Sequence, residues 1–409
     1  MKRYLVVFIL FVLSLITYID RVAISSAKEP VAQDLALSDE AMGAVFGAFA
    51  LGYAVAQVPA GRFADRFGPR LALALAVSAW SIFTALTGAA RSQNFLLLVR
   101  FLFGITEAAA FPSSARAFFN WLPVRERGRA NGVIFSGSRL GAALAFPALA
   151  WLLSLGSWRT AFAILGLVGL AWVAVWLAWF QDHPAEPPDD AGDASQTLAD
   201  GLSFGAVLRS GGMALAMGQY FASNFTFFIC LSWMHPYLMQ QYNLSQNEAA
   251  GFAMVPLLAG ATAQWTAGFL VDRLYRTPQR SWSRRLPAMA GFALAAAGVF
   301  GVTLAQSPAA AVACFTVATF GADVTISPSW AYCMDIGGKN SGAVSGSMNM
   351  VGNLGSFVSA NAFPYLYSLT GSASAYFRVA ALLNILSILC WFWMRSPWRR
   401  TPARQSEQG

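Results

Sequence analysis

Apolar residues occur along this chain in long runs, and alternation with period two is absent. The first run, VVFILFVL, leads straight into SLITYIDRVAISS at residues 14–26. Runs of about 20 apolar residues are long enough to cross a ~30 Å hydrocarbon core as helices. The missing alternation argues against an outer-membrane barrel. Reading the runs between turn and charge signals predicts about twelve helices. In the first half they fall at about 3–27, 40–60, 71–90, 94–118, 129–153 and 158–180. In the second half they fall at about 212–240, 246–270, 286–306, 309–335, 342–367 and 374–395. The first run is too long for a signal peptide and no A-x-A-like site follows it, so it reads as a retained spanning helix. The expected fold class is all-α and integral to the membrane.

Composition agrees. Of 409 residues, 57% are hydrophobic and 11% charged, against about 25% charged in a soluble domain. The net charge of +8 would suit a nucleic-acid binder, but its distribution speaks against one. The cations cluster in alternate connections: Arg62, Arg66 and Arg70; Arg125, Arg127 and Arg129; Arg273, Arg276, Arg280, Arg284 and Arg285; Lys339; and Arg395, Arg399, Arg400 and Arg404. The other connections offer little beyond Lys28 and Arg91. This is the positive-inside pattern. It predicts a multi-pass protein of the cell inner membrane with both termini in the cytoplasm, with the lipid bilayer as partner and no nucleic acid. Cys230, Cys314, Cys333 and Cys390 have no C-x-x-C pairing and read as small hydrophobes. His183 and His235, the only histidines, are far apart, which speaks against a zinc site. No cofactor or metal is expected.

Between the sixth and seventh predicted helices lies QDHPAEPPDDAGDASQTLADG, which is Pro-rich, acidic and without aromatics. Such a segment cannot bury a core. The expected division is a six-helix bundle at 1–181, a cytoplasmic linker at 182–211, a second six-helix bundle at 212–396 and a cytoplasmic tail at 397–409. The halves repeat. Gly61-Arg62-Phe63-Ala64-Asp65-Arg66-Phe67-Gly68 follows the second helix, and Gly268-Phe269-Leu270-Val271-Asp272-Arg273-Leu274 follows the eighth. ERGRANG enters the fifth helix much as GKNSG enters the eleventh.

GRFADRFG resembles the cytoplasmic loop signature of the major facilitator superfamily, and the resemblance covers nearly the whole chain. YIDR, RFLFGITEAAAFP, SWRTAF and SGSMNMVGNLG further resemble the anion:cation symporter branch, with its galactonate, hexuronate and glucarate transporters. The resemblance implies two six-helix bundles around a central cavity, with cargo bound near the midplane.

Two acids and two arginines lie deep in the first and fourth predicted spans: Asp20, Arg21, Arg100 and Glu107. Charge at a span centre costs roughly 2.5–3.5 kcal/mol on insertion scales, and such groups usually mark ion or substrate paths. Arg100 and Glu107 are two helical turns apart and share a face, about 10 Å from each other. Asp20 and Arg21 diverge by about 100°. The bland reading is an Arg21–Glu107 packing ion pair. The functional one uses arginine as a permanently charged fork for a carboxylate. The resemblance implies that Arg21 and Arg100 contact substrate carboxylate, and that Asp20 and Glu107 carry coupling protons. It also implies sugar-acid contacts at Tyr53, Ser327, Ser329, Trp330 and Asn349. Gln57, Gln219, Ser223, Asn224, Trp233, Gln264 and Asn353 add to a polar wall, although each is as able to bridge helices. Arg139 departs from those transporters, which tend to have an uncharged residue thereabouts. Either it meets a second carboxylate, or it pairs with a backbone carbonyl or an acid elsewhere; Asp323 has the same two readings.

Gly43–Gly47, Gly137–Gly141 and Gly342–Gly346 are small-xxx-small faces for close helix approach. Gly61, Asp65, Arg66, Gly268, Asp272 and Arg273 form the expected cytoplasmic gate. No G-x-x-x-x-G-K-[ST], G-x-S-x-G or paired-histidine motif occurs, so neither nucleotide-driven transport nor hydrolase chemistry has support. The expected function is a monomeric, non-enzymatic, proton-coupled symporter importing a small organic anion, most like a sugar acid. Alternatives are an aromatic or dicarboxylic acid as cargo, a drug/proton antiporter, or a membrane receptor. SGSRLGAALAFPAL lacks the antiporters' Gly-Pro-rich signature, and no soluble domain is there to relay a signal.

Overall fold

The computed structural model describes residues 2–184, 202–228 and 233–394. Most of the expected linker, the tail, Cys230 and the arginines from Arg395 onward lie outside the described residues. The first half contains α1 (Lys2–Ser26), α2 (Lys28–Leu35), α3 (Asp39–Phe67), α4 (Pro69–Gly88), α5 (Gln93–Glu107), α6 (Ala110–Trp121), α7 (Arg127–Leu155) and α8 (Trp158–Trp179). The second contains α9 (Phe204–Leu208), α10 (Gly211–Phe228), α11 (Met234–Tyr242), α12 (Gln246–Tyr275), α13 (Arg285–Val302), α14 (Pro308–Val324), α15 (Ile326–Gly337), α16 (Ser341–Thr370) and α17 (Ser374–Trp393). No strand occurs among the described residues. Nine described segments are long and apolar enough to span a membrane, or ten with the bent α7. One of these, Pro308–Thr370, covers two predicted spans, and the described residues of the seventh predicted span lie in α10 and α11. The set matches a fold of about twelve spans.

Two predicted spans are interrupted. The fourth breaks at residues 108–109, between α5 and α6, and the tenth breaks at Thr325, between α14 and α15. Each break has a proline just beyond it, Pro112 and Pro328. Proline lacks the N–H that would bond four residues back, and its ring clashes with that carbonyl. The carbonyls concerned belong to Ala108 and Val324, at the breaks themselves. Pro147 bends α7 by 44° for the same reason.

Helix starts follow a rule of position. Ser38, Ser92, Ser157, Ser245 and Ser307 each accept a backbone N–H at the start of α3, α5, α8, α12 and α14. Such a cap is worth about 1 kcal/mol. Helices α7 and α16 start at the opposite, arginine-rich end, and their N-cap residues Glu126 and Asn340 supply no side-chain bond. Their caps come from the other half. Asp65, at the end of α3, accepts from Gly342 N at 2.9 Å and Ala343 N at 2.7 Å on α16. Asp272, at the end of α12, accepts from Gly128 N and Arg129 N, both at 2.9 Å, on α7. One turn before each acid stands a glycine that permits the approach. A Cβ on Gly61 would lie 2.8 Å from Ala343 Cα, and one on Gly268 would lie 2.7 Å from the Gly128 carbonyl oxygen.

The basic end is tied further by Asp335. Its Oδ1 accepts from Arg127 of the first half at 3.0 Å and its Oδ2 from Arg284 of the second at 3.1 Å. Arg127 is fully buried. Thus one member of a cluster expected to mark sidedness also holds the halves together. Arg66 and Arg273 do not share this role in the described contacts: each stacks on its own helix, over Phe67 and Phe269. Two of the three small-residue faces are packed. A Cβ on Gly141 would lie 2.6 Å from the Leu15 carbonyl oxygen, and one on Gly346 would lie 2.6 Å from that of Gln57. Gly43 and Gly47, toward the other end, have open space around them. Around the bundle, large side chains such as Leu167, Trp151 and Phe357 are more than 60% exposed, a surface suited to lipid.

Replacing both Asp65 and Asp272 by Ala should favour opening of the basic end. Two lost caps amount to about 2 kcal/mol, a roughly thirtyfold shift in the open-to-closed ratio. A cysteine placed at buried Ser341 should react several-fold faster with a hydrophilic maleimide in the double variant, and an unchanged rate would refute the capping role.

Candidate functional site

A cavity lies between the halves at mid-span. The first half contributes Tyr18 and Arg21 from α1, Tyr53 from α3, Phe111 from α6, and Phe135, Ser138 and Arg139 from α7. The second contributes Tyr220, Ser223, Asn224 and Phe227 from α10, Gln264 from α12, Ile326 and Trp330 from α15, and Asn349 and Asn353 from α16. The four α10 residues recur at i, i+3, i+4 and i+7, so one face of that helix forms the wall. That spacing is readable in the sequence, although only Ser223 and Asn224 stand out there as polar groups.

Arg21 donates from Nε to Glu107 Oε1 at 3.0 Å, and its Nη2 bonds the same oxygen. Its guanidinium lies over the rings of Tyr53 at 4.6 Å, Tyr18 at 4.7 Å and Phe49 at 5.1 Å. Aromatic faces stabilise a partly desolvated cation without neutralising it. Arg21 therefore keeps its charge at the cavity wall, with its side chain 22% exposed there.

Arg100 is placed differently from the expectation. It is buried, does not line the cavity, and lies over Phe103 at 4.5 Å and Phe49 at 5.3 Å. The Phe49 ring touches both arginines. Asp20 is also buried, and neither of its carboxylate oxygens has a hydrogen-bond partner. It experiences Arg100 as an attracting charge and Glu107 as a repelling one. Glu107 Oε2 and Arg100 Nε are likewise without partners.

Of the expected sugar-acid contacts, Tyr53, Trp330 and Asn349 line the cavity. Asn349 Nδ2 donates to Gln57 Oε1 at 3.1 Å and lies 3.4 Å from the Tyr53 hydroxyl. Trp330 Nε1 donates to the Tyr220 hydroxyl at 2.8 Å. Ser327 and Ser329 lie elsewhere. Ser327 donates to the Gly128 carbonyl of the other half at 2.7 Å, and Ser329 to the Thr325 carbonyl at 2.6 Å. Within α15, Ile326 and Trp330 stand four residues apart on the face that lines the cavity, and neither serine is on that face. Arg139 faces the cavity as well, and its acid partner is Asp323: Arg139 Nε donates to Asp323 Oδ2 at 3.1 Å. Gln219 is buried within the second half, and Trp233 stacks on Phe363. Among the described residues no group of three or more His, Cys, Asp or Glu could hold a metal ion.

The sequence model of the Major Facilitator Superfamily matches residues 10–360. The chain belongs to this superfamily. It is 32% identical to a probable sulfoacetate transporter of Cupriavidus necator, over 94% of this chain and 92% of that one. It is 27% identical to a hexuronate transporter of Bacillus subtilis, over 94% and 92%, and 27% identical to a D-galactonate transporter of Escherichia coli, over 95% of each. Among solved structures, the superfamily transporter FucP in its outward conformation superposes with a TM-score of 0.76 at 13% identity, covering 96% of this chain and 99% of that one. The proton:xylose symporter XylE superposes with 0.71 at 15% identity, over 96% of each. These structures share the fold. The protein is thus a multi-pass transporter of the superfamily, and it carries its cargo without transforming it.

The geometry separates two residues that the resemblance grouped. Asn349→Ala removes a hydrogen-bonding group from the cavity and should weaken anion binding by about fivefold, the equivalent of ~1 kcal/mol. Ser327→Ala should leave equilibrium affinity within twofold and instead increase reactivity at the basic end. Equal loss of affinity in both variants, measured by titration in detergent or nanodiscs, would contradict this placement.

Proposed function

We propose that the protein is a proton-coupled symporter that imports a small, hydrophilic organic acid across the inner membrane by alternating access. The observation that carries this reading is Arg21 at the cavity wall, with its fork on Glu107 and an unpartnered Asp20 behind it. A substrate carboxylate that takes the Arg21 fork displaces Glu107 from its only hydrogen-bond partner in the described structure. A buried carboxylate left without a counter-charge is costly, and a proton from the aqueous side removes the charge. Asp20 has room for a proton because neither of its oxygens is engaged. Arg100 serves from outside the cavity, as a fixed positive charge that sets the balance between the two acids, in place of the direct contact expected from the sequence. The polar groups of Tyr53, Asn224, Asn349 and Asn353 suit a hydroxylated acid of the sugar-acid kind. The names of the relatives, sulfoacetate, hexuronate and galactonate transporters, support a cargo in this class.

In this reading the arginine-rich end is cytoplasmic, as the positive-inside pattern implies, and both termini lie there. The crossed Asp65 and Asp272 caps close that side while the cavity awaits cargo from outside. Residues 1–181 and 212–396 act as the two rocking bodies, 182–211 as their cytoplasmic connection, and a monomer suffices.

Arg21→Ala should reduce uptake of a labelled organic acid into proteoliposomes by at least about a hundredfold, since two charge-assisted bonds of roughly 1.5–3 kcal/mol each are lost. Arg21→Lys should recover little, because an ammonium cannot reproduce the two-point fork. Uptake near the wild-type rate in either variant would refute the role.

Glu107→Gln tests the coupling. The amide cannot release a proton, so uptake driven by a pH gradient should stop, while exchange of internal for external substrate continues. Concentrative uptake that persists under an imposed pH gradient would exclude Glu107 as a coupling site.

A further inference from the structure

Two arginines face the cavity, and in each the Nε and Nη2 edge of the guanidinium is already held by a carboxylate of the protein. The two pairs differ in what they join. Arg21 and Glu107 lie on α1 and α5, both in the first half. Arg139 and Asp323 lie on α7 and α14, in opposite halves. Arg139 donates from Nε to Asp323 Oδ2 at 3.1 Å, and its Nη2 bonds Oδ1, so the grip is two-pronged. This is the geometry in which a guanidinium holds a carboxylate or another planar anion.

We propose that Arg139 is a second anion subsite, occupied by Asp323 in the empty carrier, and that the cargo carries two anionic groups, the second of which releases this tie between the halves. The proposal rests on the reading of the cavity as an organic-anion site with Arg21 as its first cation. Arg139 is 7% exposed, and that exposure is to the same cavity as Arg21. Phe227 covers one face of its guanidinium, 3.8 Å from Cζ, and an anion that takes the two-point edge of Nε and Nη2 must displace Asp323 from it. Asp323 is completely buried. Its seat depends on Gly260, where a Cβ would run into Asp323 Oδ2. Gln264 supports it, donating from Nε2 to Oδ1 at 3.3 Å. The Gln264 side-chain carbonyl oxygen, also buried, has no partner.

A single anionic group exchanges with Glu107 at Arg21 and leaves the halves joined. Drawing the halves apart with Arg139 and Asp323 unsatisfied would strand two buried charges. When a second anionic group reaches Arg139, it replaces Asp323 on the guanidinium, and α14 is free to move with the second half. Asp323 is then a specificity-determining residue that never needs to touch the cargo: it sets the threshold that a monoanion fails to cross.

The test uses matched acids on the full-length protein in proteoliposomes: glucarate against gluconate, and sulfoacetate against glycolate, by equilibrium binding and by uptake. The wild type should transport the dianion of at least one pair and not its monoanionic partner. Asp323→Asn should bind that dianion at least about fivefold more tightly, the low end of typical coupling between sites, and should gain uptake of the monoanion. Gly260→Ala displaces Asp323 without changing any charge and should shift both measurements the same way, which covers the case of an Asp323 variant that does not fold. Arg139→Gln should lose the preference for the dianion while still binding the monoanion. Wild-type protein that transports both members of a pair equally would overturn the proposal and leave the anion-site reading standing. So would weaker dianion binding in Asp323→Asn and Gly260→Ala with no gain of the monoanion. Failure of the wild type to bind any of the four acids would overturn the underlying reading itself.

Discussion

A charge buried inside a membrane protein has no solvent to neutralise it, so every such group must find its counterpart within the bundle. That constraint organises this molecule. Arg21 finds Glu107, Arg139 finds Asp323, and Arg127 and Arg284 share Asp335. Two of these three groups join different halves, so the electrostatics that make the chain tolerable in lipid also determine how its halves meet. The exceptions are Arg100, which lies over the rings of Phe103 and Phe49 with no ion pair in the described contacts, and Asp20, whose oxygens have no hydrogen-bond partner although it is buried. Buried polar groups are rarely left unsatisfied, and one that is calls for a functional reading. For Asp20 it is room for a proton.

Much of the fold is legible in the chain because hydrocarbon is an unforgiving solvent: a run of apolar residues without charges has few other places to be. The expected bounds of α3 and α12 stop short because Arg62, Asp65 and Asp272 look like loop chemistry, whereas the helices continue through them to place those acids at the other half. The two breaks are present as Pro112 and Pro328, but a proline in a long apolar run also fits a kinked continuous span, so position alone does not decide. The candidate site is legible in its charges and only partly in its wall. YIDR and the residues around Glu107 single out the charged quartet, but not that Arg100 packs on Phe49 and Phe103 away from the cavity. Arg139 and Asp323 each stand out as charges in apolar surroundings, and nothing local to either could pair residues 184 positions apart. Ser327 and Ser329 mislead because the cavity face of α15 is the one that carries Ile326 and Trp330, and residues one position away from these turn off it.

The internal repeat explains why the basic end closes as it does. Gly61 with Asp65 and Gly268 with Asp272 are the same device used twice, a glycine and, one turn later, an acid on the same helix face. In each case the acid satisfies N–H groups that the helix of the opposite half leaves orphaned at its first turn. A surface salt bridge would serve less well, since pairs exposed to water contribute little. The serines that cap the other ends act within their own half and could not perform this joining.

The crossed caps also bear on inheritance. Asp65 and Asp272 grip backbone N–H groups, which every residue but proline possesses, so the receiving segments are free to change their side chains provided they stay slim where the glycines meet them. Recognition between the halves is in that respect generic. Two lineages that keep the glycine, the acid and the side-chain tie of Arg127 to Asp335 can diverge elsewhere along the seam of the basic end, and a first half from one should still close there upon a second half from the other. Divergence of cargo can then be concentrated at mid-span, around Arg21 and Arg139, while the hinge-side machinery passes unchanged from one transporter to the next.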